Sequence, residues 1–146
     1  MATNPPEGIQ RIVPMLAYED APKAIDFLCR AFGFTEKYRL HMPDDSVGHA
    51  ELSMGDAVVM LATVWRDAGM APPHELAGVH SQVQVYVDDV DAHYRHARAE
   101  GATIVAEPED QFYGARIYRA NDPEGHRWIF AQQRVELDDE ALKAPR

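Results

Sequence analysis

Val83–Thr103 reads VQVYVDDVDAHYRHARAEGAT, and this stretch decides the fold. Val83, Val85 and Val87 alternate with Gln84 and Tyr86 at the period of two that marks a half-buried strand, and Asp88 and Asp89 end it. A helix follows at once. Asp88 or Asp89 can accept a hydrogen bond from the free amides of its first turn, Val90, Tyr94 and Ala97 share one face, and Gly101 offers a left-handed C-terminal cap.

The same unit occurs earlier. An offset of 68 residues lays Tyr18–Thr35 on Tyr86–Thr103, with identities at Tyr18/Tyr86, Asp20/Asp88, Ala24/Ala92, Arg30/Arg98, Ala31/Ala99, Gly33/Gly101 and Thr35/Thr103. Two copies of this length fill the chain, which points to a duplicated half-domain rather than a solenoid. At 146 residues the chain is one domain that can bury a core without staples. Its single cysteine, Cys29, falls inside the first helix pattern beside Leu28 and reads as a small core residue.

Working outward, residues 1–8 form a loose leader and 9–133 the domain. Ile9–Ala17 is the expected first strand, with Pro14 marking an edge or a crossing point. Asp20 caps the first helix, Pro22 sits in its first turn, Ala24, Ile25, Leu28 and Ala31 form its buried stripe, and Gly33 ends it. Strands are expected at Phe34–His41, His49–Met54 and Ala57–Ala62, the last two joined at Gly55–Asp56. The first βαβββ unit is thus 9–62. A proline-broken loop, 63–80, carries Trp65 and leads to a second βαβββ unit, 81–133, with strands at Ala102–Glu107, Gln111–Ala120 and His126–Gln133 and a turn at Asn121–Gly125. A charged tail, 134–146, closes the chain.

Fourteen Lys and Arg against twenty-four Asp and Glu give a net charge of −10, which opposes nucleic acid and anionic lipid and favours a neutral or cationic partner. No run approaches a membrane span and no secretion signal opens the chain, so a cytoplasmic location is expected.

The chain resembles the vicinal oxygen chelate superfamily, which groups glyoxalase I, bleomycin resistance proteins and extradiol dioxygenases. The resemblance spans about 9–133 and is carried by the paired units, by VDDVDAHYRHARAEGA, by AFGF at Ala31–Phe34, and above all by GARIYRANDPEGHRWIFAQ at Gly114–Gln132. It implies an α+β fold in which two tandem βαβββ units form a curled mixed sheet around a concave cup, completed as a homodimer. In the metal-dependent members the ligands come from the first and last strands of each unit. The resemblance puts those positions here at Val13 or Pro14, Val59 or Met60, Gln82, and Ile129. Hydrocarbon, thioether and amide do not serve a hard or borderline ion that needs imidazole or carboxylate, so no metal and no other cofactor are expected.

Strand parity gives the candidate site. If Val83, Val85 and Val87 pack under the helix, Gln82, Gln84 and Tyr86 face the cup; if Ala50, Leu52 and Met54 are core, His49, Glu51 and Ser53 point the same way. Arg116 and Tyr118 share a face with Tyr113 just before them, and Trp65 is placed to close the mouth. Amides, one carboxylate and several rings suit a small aromatic or cationic organic ligand. His93 and His96 read as solvent-exposed, and His126 as locally bonded after its turn. Two functions stay open. One is a dimeric, metal-free, bleomycin-resistance-like protein that sequesters an antibiotic or metabolite, in which Pro14 resembles the proline of the strand exchanged between subunits. The other is an isomerase, lyase or dioxygenase using His49 and Glu51, or displaced metal ligands, in catalysis.

Overall fold

A computed structural model describes residues 2–136 and Glu140; most of the expected 134–146 tail lies outside the described residues. The chain divides into two compact units, Met1–Gly78 and Val79–Arg146.

The first unit runs β1 (Met15–Tyr18), α1 (Ala21–Phe32), β2 (Thr35–His41), β3 (Val47–Met54) and β4 (Ala57–Thr63). Its four strands form one mixed sheet in the order β1-β4-β3-β2, with β1 parallel to β4 and the other pairs antiparallel. Helix α1 forms for the reasons its sequence supplies. The Asp20 side chain accepts from the Lys23 amide at 3.1 Å, proline occupies the first turn, and Gly33 ends the helix at φ +86°, a left-handed geometry that a Cβ would oppose. Its buried stripe, with Ala24, Ile25, Leu28 and Ala31, packs on the sheet face that presents Ala50, Leu52 and Leu61, all at 5% exposure or less. Each large apolar side chain so removed from water stabilises the unit by about 1.5–3 kcal/mol.

Strand β1 begins at Met15, later than the Ile9 that alternation suggested. Upstream of Pro14 the ladder is continued by a side chain instead: the Gln10 carboxamide donates to the Val58 carbonyl and accepts from the Val58 amide at 3.1 Å. The carbonyl of Pro14, which has no amide to give, accepts from Met60 at 2.9 Å.

The second unit repeats the plan as β5 (Gln82–Tyr86), α2 (Val90–Ala99), β6 (Thr103–Asp110), β7 (Ala115–Asn121) and β8 (Arg127–Gln133), in the order β5-β8-β7-β6. Among the described residues the strands therefore join as two four-stranded mixed sheets, not as one continuous curled ladder. Asp89, not Asp88, caps α2 by accepting from Ala92 at 3.0 Å. Val90 and Ala97 are fully buried beneath it, and Gly101, at φ +100°, follows its last turn. The expected third strand, Gln111–Ala120, starts only at Ala115, because Gln111–Gly114 makes a turn closed by the Gly114 amide on the Gln111 carbonyl at 3.1 Å. A side chain at Gly114 would meet the Val135 carbonyl, so this turn admits only glycine.

Candidate functional site

Residues opposite one another in a ladder point to the same side of the sheet, so the registers assign the faces. In the first unit Met15, Met60, Glu51 and Tyr38 lie in one row across all four strands, and Ala17, Ala62, His49 and Leu40 in the next. Ala50, Leu52 and Leu61 point the other way, toward α1. The α1-distal face thus carries His49 and Glu51 side by side, with His49 Nε2 3.0 Å from Glu51 Oε2 and side-chain exposures of 29% and 22%. The Tyr38 ring lies 6.2 Å from the His49 ring, and Met15 and Tyr38 are widely exposed. These two rows contain one carboxylate, no lysine and no arginine. They can offer an acceptor, an imidazole, an aromatic ring and two polarizable thioethers to a ligand lying flat on the sheet.

In the second unit Gln82, Gln84 and Tyr86 do point away from α2, in register with Arg127, Ile129 and Ala131. On β7, however, the parity is the reverse of that expected. Tyr118 is fully buried on the helix side, where its hydroxyl meets His93 Nδ1 at 2.5 Å, its ring stacks on Phe130 and Tyr94 packs edge-on against it. Burial pushes its phenol well above the usual tyrosine range. Arg116 shares that face: its Nε lies 3.1 Å from Asp91 Oδ1 on α2 and its Nη1 3.3 Å from Asp110. Arg116 holds the Asp91 carboxyl below its ordinary value, with Arg134 adding to the effect. Neither Arg116 nor Tyr118 shares a face with Gln84. The residues of β7 that do are Ala115, Ile117, Arg119 and Asn121; Ala115 and Ile117 form a buried cluster with Ala131, against which Tyr113 and Ile129 pack.

The sign of β7 was not legible because Ala115, Ile117, Tyr118 and Ala120 are all buried, so neither face reads as solvent. His93 departs from expectation for the same reason. It is half-buried, its ring 4.2 Å from that of Phe130, whereas His96 is exposed as expected. Tyr38 and Met15 were missed; for Tyr38 the alternation of Tyr38 and Leu40 against Arg39 is the signal. Trp65, 64% exposed, begins the first of two short 3-10 turns, Arg66–Ala68 and Pro73–Glu75. His126 bonds locally through its backbone, its amide reaching Asp122 Oδ1 at 3.1 Å. Burial, then nearby Glu36, raises the Cys29 thiol, in keeping with a packing role rather than a nucleophilic one.

The positions that a metal would need do not fit one. Across β1·β4 the residue beside Met60 is Met15 rather than Val13 or Pro14, and across β5·β8 the residue beside Ile129 is Gln84 rather than Gln82. The donors at these places are two thioethers and an amide, which no hard or borderline divalent ion prefers. Glu19, His74 and Glu75 bring ligand atoms within 4.8 Å of one another, but all three are exposed and Glu75 is gripped by Arg66 through bonds of 2.6 and 2.7 Å.

Two successive βαβββ units, each a helix packed on one face of a four-stranded sheet, in the orders β1-β4-β3-β2 and β5-β8-β7-β6, define an α+β class built by tandem repetition. Within that class the chain belongs to the Glyoxalase/Bleomycin resistance protein/Dioxygenase superfamily, whose family model matches residues 8–130. It is 36% identical over 134 residues to an uncharacterized protein of Mycobacterium tuberculosis, covering 90% of this chain and 79% of that one. TioX from Micromonospora sp. ML1 superposes with a TM-score of 0.68 at 36% identity, over 85% of this chain and 98% of its own. A glyoxalase/bleomycin resistance protein/dioxygenase family enzyme from Burkholderia phytofirmans has the same fold, with a TM-score of 0.65 at 21% identity over 82% of this chain and 94% of its own. No helix among the described residues is long and apolar enough to cross a membrane.

Proposed function

We propose that this protein binds a small aromatic, cationic organic molecule without a metal, on the α1-distal face of its first unit. The observation that carries the reading is the half-buried His49–Glu51 pair, 3.0 Å apart, flanked by the exposed Tyr38 and Met15 on a face whose two rows hold no lysine and no arginine. Glu51 supplies the counter-charge, His49 fixes its carboxylate, and Tyr38 and the methionines take the ring system. Family membership and the misfit of the metal positions support the sequestering reading over the metal enzymes of the family. The reading includes a cytoplasmic homodimer: Ile12, Leu40 and Met42, exposed by 88%, 44% and 40%, give the first unit apolar surface for a second copy to cover.

The same pair supports one alternative, an isomerase or lyase in which His49 moves a proton while Glu51 orients its ring. Calorimetric titration with acridine orange, a planar cation, separates the two. Binding without consumption, weakened about tenfold in Glu51→Gln, matches sequestration. Equal affinity in Glu51→Gln refutes the assigned anchor, and turnover of a bound carbonyl compound abolished by His49→Ala favours the enzyme.

A further inference from the structure

We infer that the α2-distal face of the second unit holds a separate binding site for an aromatic carboxylate, anchored by Arg119. This inference does not rest on the His49–Glu51 reading. Arg119 lies on β7 between Tyr118 and Ala120, both fully buried; Tyr118 points to the helix, so the Arg119 side chain leaves the sheet on the other face. There it stands in register with Ile129, and Ile129 with Gln84.

Four arginines among the described residues are half-buried. Glu36 holds Arg39, Asp91 and Asp110 hold Arg116, and Asn121 accepts from Arg127 at 3.2 Å. Arg119 alone has no acceptor among the described residues. Its guanidinium nitrogens are not sealed from water, and among the described residues they meet no carboxylate, in a chain of net charge −10 whose other half-buried arginines all have an acceptor. Those five N–H groups are available to an anion from outside.

The surroundings choose the kind of anion. Ile129, partly buried against the covered Ala115–Ile117–Ala131 cluster, and Tyr86, 64% exposed, make the face beside Arg119 apolar and aromatic. A bare phosphate gains nothing from these groups, whereas a planar aromatic carboxylate uses the Arg119 fork for its oxygens, Ile129 and Tyr86 for its ring, and Gln84 for a polar substituent.

The probe is 2-naphthoate, followed by calorimetry and by the Ile129 methyl resonances, with neutral 2-naphthamide and inorganic phosphate as controls. The expected result is a shift of the Ile129 methyls and an affinity at least about tenfold lower in Arg119→Gln, with Arg119→Lys intermediate and 2-naphthamide indifferent to either change. The inference is overturned if Arg119→Gln binds 2-naphthoate as well as the unaltered protein, if the Ile129 methyls do not move, if phosphate displaces it at equal concentration, or if it does not bind at all. Unchanged thermal unfolding of both variants ties any loss to the guanidinium rather than to folding.

Discussion

Trp128 Nε1 donates to Asp122 Oδ2 at 3.1 Å, and both residues are almost completely buried. The other oxygen of Asp122 accepts from the amides of Glu124 and His126, each at 3.1 Å. One carboxylate therefore ties the β7–β8 turn to the largest side chain of the core. Asp122→Ala strands three donors, two of them in a tight turn, and is expected to destabilise the protein by about 3 kcal/mol in urea unfolding; Asp122→Asn, which keeps acceptors, loses less. Near-equal loss in both variants would mean that the carboxamide cannot take the place of the carboxylate.

Tyr118 sets an alkaline limit. Its folded pKa is raised above the unfolded value of about 10, so the stabilisation it brings is complete below pH ~10 and is lost as pH rises from there toward the folded value. Stability measured from pH 8 upward should begin to fall near pH 10. Tyr118→Phe should flatten that fall while costing about 1 kcal/mol at neutral pH through loss of the His93 bond.

Asp91 sets an acid limit of the opposite sense. Arg116 first, and Arg134 second, lower its pKa, so the stability it contributes is present above the unfolded value near pH 3.9 and is lost as pH falls through the lower folded value. Asp91→Asn should shallow the acid limb of the stability profile below pH ~4, and raised salt should do the same to the unaltered protein. An unchanged acid limb in the variant would show that Asp91 contributes nothing there.

Tyr18 and Tyr86 should behave in opposite ways despite their identity at the 68-residue offset. Tyr18 is fully buried and Tyr86 is 64% exposed on the α2-distal face. Tyr18→Ala is expected to cost about 3–5 kcal/mol, as truncation of a core aromatic does, and Tyr86→Ala less than about 0.5 kcal/mol. Thermal unfolding of the two variants distinguishes them directly.

The same pair shows what the sequence could and could not give. Caps and glycines have strict local causes, so Asp20, Gly33 and Gly101 marked the helices correctly, and with them the duplicated plan. The ungapped offset holds at Gly33/Gly101 but fails at the helix starts, where Asp20 corresponds to Asp89 and not to Asp88. A one-residue slip flips every strand side chain, which is why Tyr18 and Tyr86 match in sequence and not in environment. On β3 the polar alternation of His49, Glu51 and Ser53 against Ala50, Leu52 and Met54 was unambiguous, and those two sets do face opposite ways. On β7 both faces are buried, the alternation carries no sign, and Arg116 and Tyr118 were assigned to the wrong side.

The most direct test of the central claim is the metal content of protein purified without chelator or affinity tag, followed by thermal unfolding with Ni²⁺, Zn²⁺, Mn²⁺ and Fe²⁺. A native-state ligand at a hundredfold excess over its dissociation constant adds about 2.7 kcal/mol of stability, so a real metal site is readily visible. Metal-free binding predicts no stoichiometric metal and no stabilisation by any of the four ions. Stoichiometric metal that disappears in His49→Ala or Glu51→Ala would contradict it and make the His49–Glu51 pair a metal-ligand pair.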